Sequence, residues 1–147
     1  MKKLLATDQS IVGFILRITL GIVFFPHGMQ KLLGWFGGHG FSGTMGFFTQ
    51  QGMPWLVAFL VIIGESVGSL GLIFGFFTRI AAAGILVIML GAIFMVHLSN
   101  GFFMNWYGQQ AGEGFEYHLL VIGIAVALII MGGGKWSLDS CLSKKLR

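Results

Sequence analysis

The sequence predicts an all-α integral membrane protein, a four-helix bundle with both termini on the cytoplasmic side. Three observations predict this fold class: the composition, four long apolar segments, and basic residues confined to one side. Of the 147 residues, 56% are hydrophobic and 10% are charged, and the mean hydropathy is +0.88. This apolar content exceeds what one soluble domain of this size can bury, so lipid must surround much of the chain.

Four segments are apolar and long enough to cross a bilayer as helices. A hydrocarbon core about 30 Å thick requires roughly 20 mostly apolar helical residues. The predicted spans cover residues 11–33, 54–77, 80–98 and 116–131, and the last is the shortest. Uninterrupted apolar stretches exclude a membrane barrel, which needs many short alternating strands. The chain is therefore predicted to form a single transmembrane domain.

Lysine and arginine fall mainly on one side of the predicted spans. The residues on that side are Lys2, Lys3, Arg79, Lys135, Lys144, Lys145 and Arg147. The two opposite connections, residues 34–53 and 99–115, contain neither residue type, although Lys31 stands just before the first of them. Because cytoplasmic loops are enriched in lysine and arginine, both termini are predicted to lie in the cytoplasm.

Charge and cysteine content exclude several function classes. The formal net charge is +4, but the basic residues collect at the chain ends rather than on a face with interleaved aromatics. No nucleic-acid partner is therefore expected, and the expected partner is the lipid bilayer. The single cysteine, Cys141, excludes an intramolecular disulfide, a CxxC redox motif and a cysteine-based metal site, so we expect an inert cytosolic thiol.

The first outer connection, residues 34–53, predicts a short interfacial helix. Phe41, Met45 and Phe48 recur there at helical spacing, and aromatic side chains favour the membrane–water boundary. Such a helix would either cap the mouth of the bundle or float on the lipid headgroups. We expect the second arrangement.

Glycines recur every three or four residues down the second predicted span. They are Gly64, Gly68, Gly71 and Gly75. In lipid, small residues at this spacing let helix backbones approach closely. The pattern predicts a packing face, which serves either the bundle itself or a homo-oligomer.

Ionisable residues inside the predicted spans are few, and each needs a compensating group, since a charge there costs at least about 2.5 kcal/mol. Glu65 lies about midway along the second span, too deep for its short side chain to reach water. Arg17 shares a helical stripe with Lys31 on the first span, so we predict an inward polar face and Arg17 as the partner of Glu65. In the alternative, Arg17 extends to the cytoplasmic headgroups.

The outer half of the predicted bundle gathers further polar residues. Pro26 is expected to kink the first span just before His27, which stacks with Lys31 one turn later. The other polar residues expected at this height are His97, Glu116 and His118.

Three interpretations of this polar group compete. A divalent metal is disfavoured, because the spacing is not that of a compact motif and Lys31 adds positive charge nearby, so no metal is expected. A quinone-like molecule fits better, since histidine and carboxylate relay protons and hydrogen-bond carbonyl oxygens. In the third interpretation these residues mark hydrated ends of the spans, with no ligand. We favour the small-molecule or redox site.

Several short motifs occur in an order and spacing that are specific when taken together. They are Arg17 with Gly21, His27-Gly28-x-x-Lys31-Leu32, Gly52-x-Pro54, Glu65, Gly75-x-x-Thr78-Arg79, Glu116, and Gly132-x-Gly134-x-x-Ser137-Leu138-Asp139. Through these motifs nearly the whole chain resembles the DoxX family of small four-span bacterial membrane proteins. The resemblance implies a four-helix fold in the bacterial cytoplasmic (inner) membrane. Some members are associated with quinone-linked sulfur oxidation or with membrane oxidoreductase complexes.

The favoured hypothesis is therefore a redox-associated protein that binds a quinone-like or other small apolar molecule, with a dehydrogenase or oxidase subunit as partner. No covalent cofactor is expected. The expected catalytic polar groups are Glu65, His27 and Glu116, and the expected ligand-binding residues are Arg17, Lys31, His97 and His118. Arg17 is expected to set the charge state of Glu65. The alternatives are a proton-coupled transporter or channel in which Glu65 and Arg17 form a gated pair, or a structural membrane subunit.

Overall fold

The computed structural model describes residues 2–145, with side-chain burial described for residues 4–145. All regular structure in that part of the chain is helical. The α-helices are α1 (Lys2–Leu5), α2 (Ile11–Leu33), α3 (Gly40–Gln50), α4 (Trp55–Phe74), α5 (Thr78–Ala92), α6 (Glu116–Met131) and α7 (Leu138–Lys145). A π-helical turn, Ile93–His97, and a 3-10 turn, Leu98–Asn100, prolong α5.

Three helices are long and apolar enough to cross a membrane: α2, α4, and α5 with its extension to Asn100. The shorter α6 has 16 residues, which corresponds to about 24 Å of helix. Helix α4 ends at Phe74, three residues before the predicted limit, because Gly75 adopts a left-handed conformation with φ of 65°. The chain is an all-helical membrane protein.

The four apolar helices contact one another in a cycle, α2 with α4, α4 with α5, α5 with α6, and α6 with α2. Each contributes to one hydrophobic core. Its buried members are Leu20, Phe24, Leu72, Ala82, Ile85, Met89, Val121, Ala125 and Leu128. Large apolar side chains such as Val87 and Leu120 stay exposed on the outer surface, where lipid tails replace water as the favourable surroundings.

Helices α2 and α4 approach most closely through glycines of α2. A Cβ atom added to Gly28 would lie 2.5 Å from the carbonyl oxygen of Glu65 and from the Cα of Ser66. A Cβ on Gly21, two turns earlier, would lie 3.0 Å from the backbone nitrogen of Ile73. Backbone contact of this kind is the usual use of small residues at membrane helix interfaces.

The predicted glycine packing face is formed only in part. A Cβ on Gly71 would lie 3.0 Å from the carbonyl oxygen of Phe76, and one on Gly75 would lie 2.8 Å from the Cα of Ser137, so these two glycines permit close internal contacts. A Cβ on Gly68 would instead have no neighbour within 4 Å. Toward α2 the helix presents serines, and the glycines up to Gly71 face a groove between α4 and α5.

The short helix predicted in the first outer connection is present as α3, which contacts α2 and α4. Met45 is buried against Ala58 and Ile62 of α4, and the Phe41 ring stacks edge-on to Phe59 with centroids 6.3 Å apart. The expectation that this helix floats on the headgroups is therefore wrong. It covers the end of the molecule where α2 stops and α4 starts, which we call the α3 end; the opposite end is the α7 end.

Candidate functional site

Arg17 is 1% exposed, and every N–H of its guanidinium finds an acceptor. The bonds run from Nε to the Gly133 carbonyl (2.8 Å), from Nη1 to Leu72 (3.1 Å) and Ile73 (2.6 Å), and from Nη2 to Lys135 (3.2 Å) and Trp136 (2.9 Å). Two of these carbonyls close α4, where the helix dipole is negative and favours a cation. Arg17 therefore ties α2 to the end of α4 and to the segment that follows α6.

The predicted pairing of Arg17 with Glu65 is wrong, and so is its extension into the headgroups. Gly28 is the α2 residue that contacts the Glu65 backbone. Arg17 precedes Gly28 by eleven positions, which is about 16 Å along the helix. The guanidinium lies at the level of the α4 terminus instead, so it does not set the charge state of Glu65.

Lys31 is the cation that pairs with Glu65. Its Nζ lies 2.6 Å from Oε2 of Glu65, and the two side chains are 22% and 8% exposed. The close approach at Gly28, less than one turn before Lys31, brings the ammonium within reach of the carboxylate. The short distance is typical of a charge-assisted hydrogen bond.

The ion pair opens onto a long groove between α4 and α5 with a volume of about 1340 Å³. The polar side chains that line it are Lys31, Glu65 and His97 among many apolar ones. Gly68 and Gly84 also line it, and a Cβ added to either would meet open space. A charged pair thus faces a channel that is otherwise suited to hydrocarbon.

A second, smaller cavity of about 290 Å³ lies at the α3 end. Gln30, His39 and Thr44 line it together with Lys31 and Phe48, and these last two residues also line the groove. Lys31 therefore stands between an apolar groove and a more polar cavity.

The structure brings His97 and His118 together. Their ring centroids lie 4.1 Å apart, and His118 is 6% exposed with no hydrogen-bond partner for Nδ1 among the described residues. Nδ1 of His97 lies 2.8 Å from the carbonyl oxygen of Glu113. His97 ends the π-helical turn after α5, a local geometry that often occurs at functional sites.

His27 and Glu116 do not join the ion pair. His27 is exposed and Glu116 is half-buried, and neither lines the groove within the described part of the chain. Consecutive helical residues point about 100° apart, so His27 turns away when Gly28 faces α4. Pro26 lies within continuous helix and does not turn His27 inward.

Tyr117 is a residue beside His118 that the sequence analysis missed. Its side chain packs against the hydrophobic core and places its ring 5.5 Å from that of His118. A tyrosine beside a span end is usually an interfacial anchor. Nothing in the local sequence distinguishes this partly buried, core-packed tyrosine from such an anchor.

Comparisons with known proteins agree on the family. The DoxX family model matches residues 12–98. The chain is 33% identical over 119 residues to the "Putative oxidoreductase CatD" of Bacillus subtilis, covering 81% of this chain and 79% of CatD. It is 30% identical over 145 residues to the inner membrane protein YqjF of Escherichia coli, with 99% of each chain covered. No solved structure matches.

The family match spans α2 to the end of the third long helix and includes both members of the ion pair. Another Escherichia coli relative, the inner membrane protein YphA, is 28% identical over 136 residues and covers 89% of this chain. The sequence motifs, the helical architecture and these similarities lead to one conclusion: the chain belongs to the DoxX family of membrane proteins.

Proposed function

We propose that this protein is a redox-associated membrane protein that binds a quinone-like or other small apolar molecule where the Lys31–Glu65 pair meets the groove. It would act as a subunit of a membrane oxidoreductase system. One observation carries the proposal: a partly buried ion pair, 2.6 Å between Nζ and Oε2, opens onto an apolar groove. The oxidoreductase name of CatD supports the redox part.

The residues present fit such a ligand. Binding sites for small molecules are mostly apolar, with a few polar groups that orient the ligand. The Lys31 ammonium can donate to a quinone carbonyl oxygen and stabilise negative charge there, and the Glu65 carboxylate can accept or return a proton. A bound quinone would supply the electron-carrying chemistry. His97, at the groove edge, and its neighbour His118 offer a second place for a proton.

We further propose four spans with both termini in the cytoplasm of a bacterium, which places the α3 end outside. The distribution of charge supports this orientation, because Arg79, Lys135, Lys144 and Lys145 gather at the α7 end. The closed cycle of helix contacts supports α6 as the fourth span.

Binding of a quinone to purified protein in mild detergent tests the first proposal. We expect saturable binding of a short-chain ubiquinone and a higher melting temperature, with affinity reduced about tenfold or more in Lys31→Met. Lys31→Arg should retain part of the affinity, because it keeps the charge and the donors. Lys135→Met, exposed at the other end, is the matched control. Absence of saturable binding in the wild type would refute the proposal.

A proton-coupled transporter is the second candidate, and one observation favours it. Lys31 borders both the groove and the cavity at the α3 end, so a polar route leads from that end to Glu65. The gated pair would then be Lys31–Glu65, not Arg17–Glu65. Proton flux into liposomes that disappears in Glu65→Gln, without quinone binding, would select this function.

A further inference from the structure

We propose that the natural ligand is a long-chain amphiphile whose polar head meets Lys31 and Glu65 and whose chain lies in the groove toward the α7 end. The inference rests on the proposed function for the head and adds the chain and its direction. The segment of the groove between Glu65 and the α7 end is called the chain channel, and Gly68, Gly84, Phe74 and Ala81 are among its lining residues.

The groove is larger than a compact ring requires. Its volume of about 1340 Å³ exceeds the roughly 300–1,000 Å³ typical of pockets for small molecules. It extends from Met53 and His97 at one end to Phe76 and Leu138 at the other. From Glu65 to Phe74 alone, α4 advances about 13 Å. A ligand confined to the ion pair would leave most of this space unfilled.

Paired glycines open the chain channel directly beside the ion pair. Gly64 of α4 stands against Ile88 of α5, since a Cβ there would lie 2.7 Å from Cδ1 of Ile88. The two helices run antiparallel, so Gly68, four residues after Gly64, lies level with Gly84, four residues before Ile88. Neither glycine would place a Cβ within 4 Å of another atom. One turn from Glu65 toward the α7 end, neither helix therefore places a side chain in the channel.

The polarity of the residues that line the groove indicates which kind of ligand it binds. Between Glu65 and the α7 end the lining is apolar, whereas the other half includes His97 and ends near α3. A second copy of this protein that docked through an exposed apolar helix face, such as the face of α6 with Leu120 and Ile130, would bring only hydrocarbon to the ion pair. Covering two charges with hydrocarbon alone is costly. A molecule with one polar head and a long apolar chain complements both parts.

Two ubiquinones with the same head test this inference, one with a single isoprenoid unit and one with a chain of several units. The ratio of the two affinities is measured for each variant and compared with the ratio for the wild type in the same detergent. The different partitioning of the two ligands into detergent then affects both ratios equally and cancels in the comparison. We expect Gly84→Leu to lower the ratio of long-chain to short-chain affinity about tenfold relative to the wild type. Gly91→Leu, in the other half of the groove, should leave the ratio unchanged.

Gly123→Leu is the matched control, because Gly123 is exposed on α6 and its Cβ would also meet open space. Gly68→Leu fills the same level of the channel from the facing helix and replaces Gly84→Leu if that variant does not fold. Melting temperature and monodispersity decide which variant is used.

The outcomes distinguish a failure of the proposed chain channel from a failure of the proposed head site. If no channel variant changes the ratio, or if Gly123→Leu changes it equally, the inference is overturned while the head site remains. A loss of long-chain preference in Gly91→Leu alone would overturn the proposed direction. A wild-type dimer that Gly84→Leu converts to monomer would assign the groove to a second copy. Failure of the short-chain ligand to bind the wild type would instead refute the proposed function.

Discussion

Two cations in this protein, the buried Arg17 and the partly exposed Lys31, have different roles, and their surroundings explain the difference. The five guanidinium N–H groups of Arg17 all donate to backbone carbonyls. None is left to bind a ligand. Lys31 makes one ion pair and keeps a side chain that is 22% exposed. The planar guanidinium suits a fixed structural site, whereas the flexible ammonium suits a site where a partner changes.

Replacement of Arg17 should destabilise the protein without a specific effect on ligand affinity. Arg17→Met leaves five carbonyls without their donor, two of them in buried hydrogen bonds, and we expect a loss of about 3–5 kcal/mol of stability. Arg17→Lys should recover only part of this lost stability, because an ammonium has three donors where the guanidinium has five. Thermal unfolding in detergent measures the effect, with Lys135→Met as the exposed control. A variant Arg17→Met that melts with the wild type would contradict this structural role.

The Lys31–Glu65 pair should show strong coupling in a double-mutant cycle. Lys31→Met alone leaves the nearly buried carboxylate of Glu65 without its cation, and Glu65→Gln alone leaves the ammonium of Lys31 without its anion. We expect each single variant to lose about 1–3 kcal/mol, less than a fully buried pair because Lys31 retains some exposure. The double variant should be more stable than the sum of the two losses predicts. Strictly additive losses would show that the ion pair contributes no interaction energy.

At the scale of helices, the α2–α4 contact positions the ion pair. Gly28 permits this contact, since a Cβ there would lie 2.5 Å from backbone atoms of Glu65 and Ser66, and backbone cannot yield as a side chain can. The C-terminal segment supports the opposite end, where the Asp139 carboxylate accepts the N–H groups of Phe77 and Thr78 at 2.8 Å. These bonds satisfy donors at the start of α5, as an N-cap does.

Gly28→Ala should separate α2 from α4 and weaken the ion pair together with the fold. We expect a loss of about 1–3 kcal/mol, the range seen for overpacked sites. Gly123→Ala, on a helix face with open space around the added methyl group, should be neutral or slightly stabilising, because alanine favours helix. Thermal unfolding of the two variants in one detergent compares them. Equal melting temperatures would contradict the close approach.

At the scale of the whole molecule, the two ends differ in chemistry. The α3 end has aromatic, glycine-rich connections with exposed Trp35, Phe36, Trp106 and Tyr107, whereas the α7 end has exposed Lys135, Lys144 and Lys145. Aromatic side chains favour the interface, and lysines favour the cytoplasmic side. With the proposed orientation, the chain channel therefore points from Glu65, midway along α4, toward the cytoplasmic leaflet.

Cys141 offers a direct measurement of this orientation. It is the single cysteine and it is exposed in α7, so no engineered residue is needed. We expect a membrane-impermeant maleimide to label inside-out vesicles and to leave intact spheroplasts unlabelled. Cys141→Ser controls for labelling of other groups. Labelling of spheroplasts alone would place the C-terminal helix outside and reverse the proposed topology.

The sequence alone determined that the protein is a helical membrane protein and that Glu65 lies deep within a span. Long apolar segments require helices, since only helices satisfy their backbone hydrogen bonds locally in lipid, and the matching bounds of α2 and α6 follow from this local rule. Glu65 was identifiable because a carboxylate deep in a span is costly. Lys31 was placed on the correct stripe, but its partner was not identified.

Only the tertiary structure decided which charges meet. Helical periodicity orders residues around one axis, but it contains no information on how far two helices are shifted along each other. The shift of α2 against α4 is set by the backbone contact at Gly28, which brings Lys31 to Glu65 and leaves Arg17 at the α4 terminus. The same packing turns His27 outward and places Tyr117 against the core beside His118, because the steric fit between whole helices overrides the pattern of any single residue.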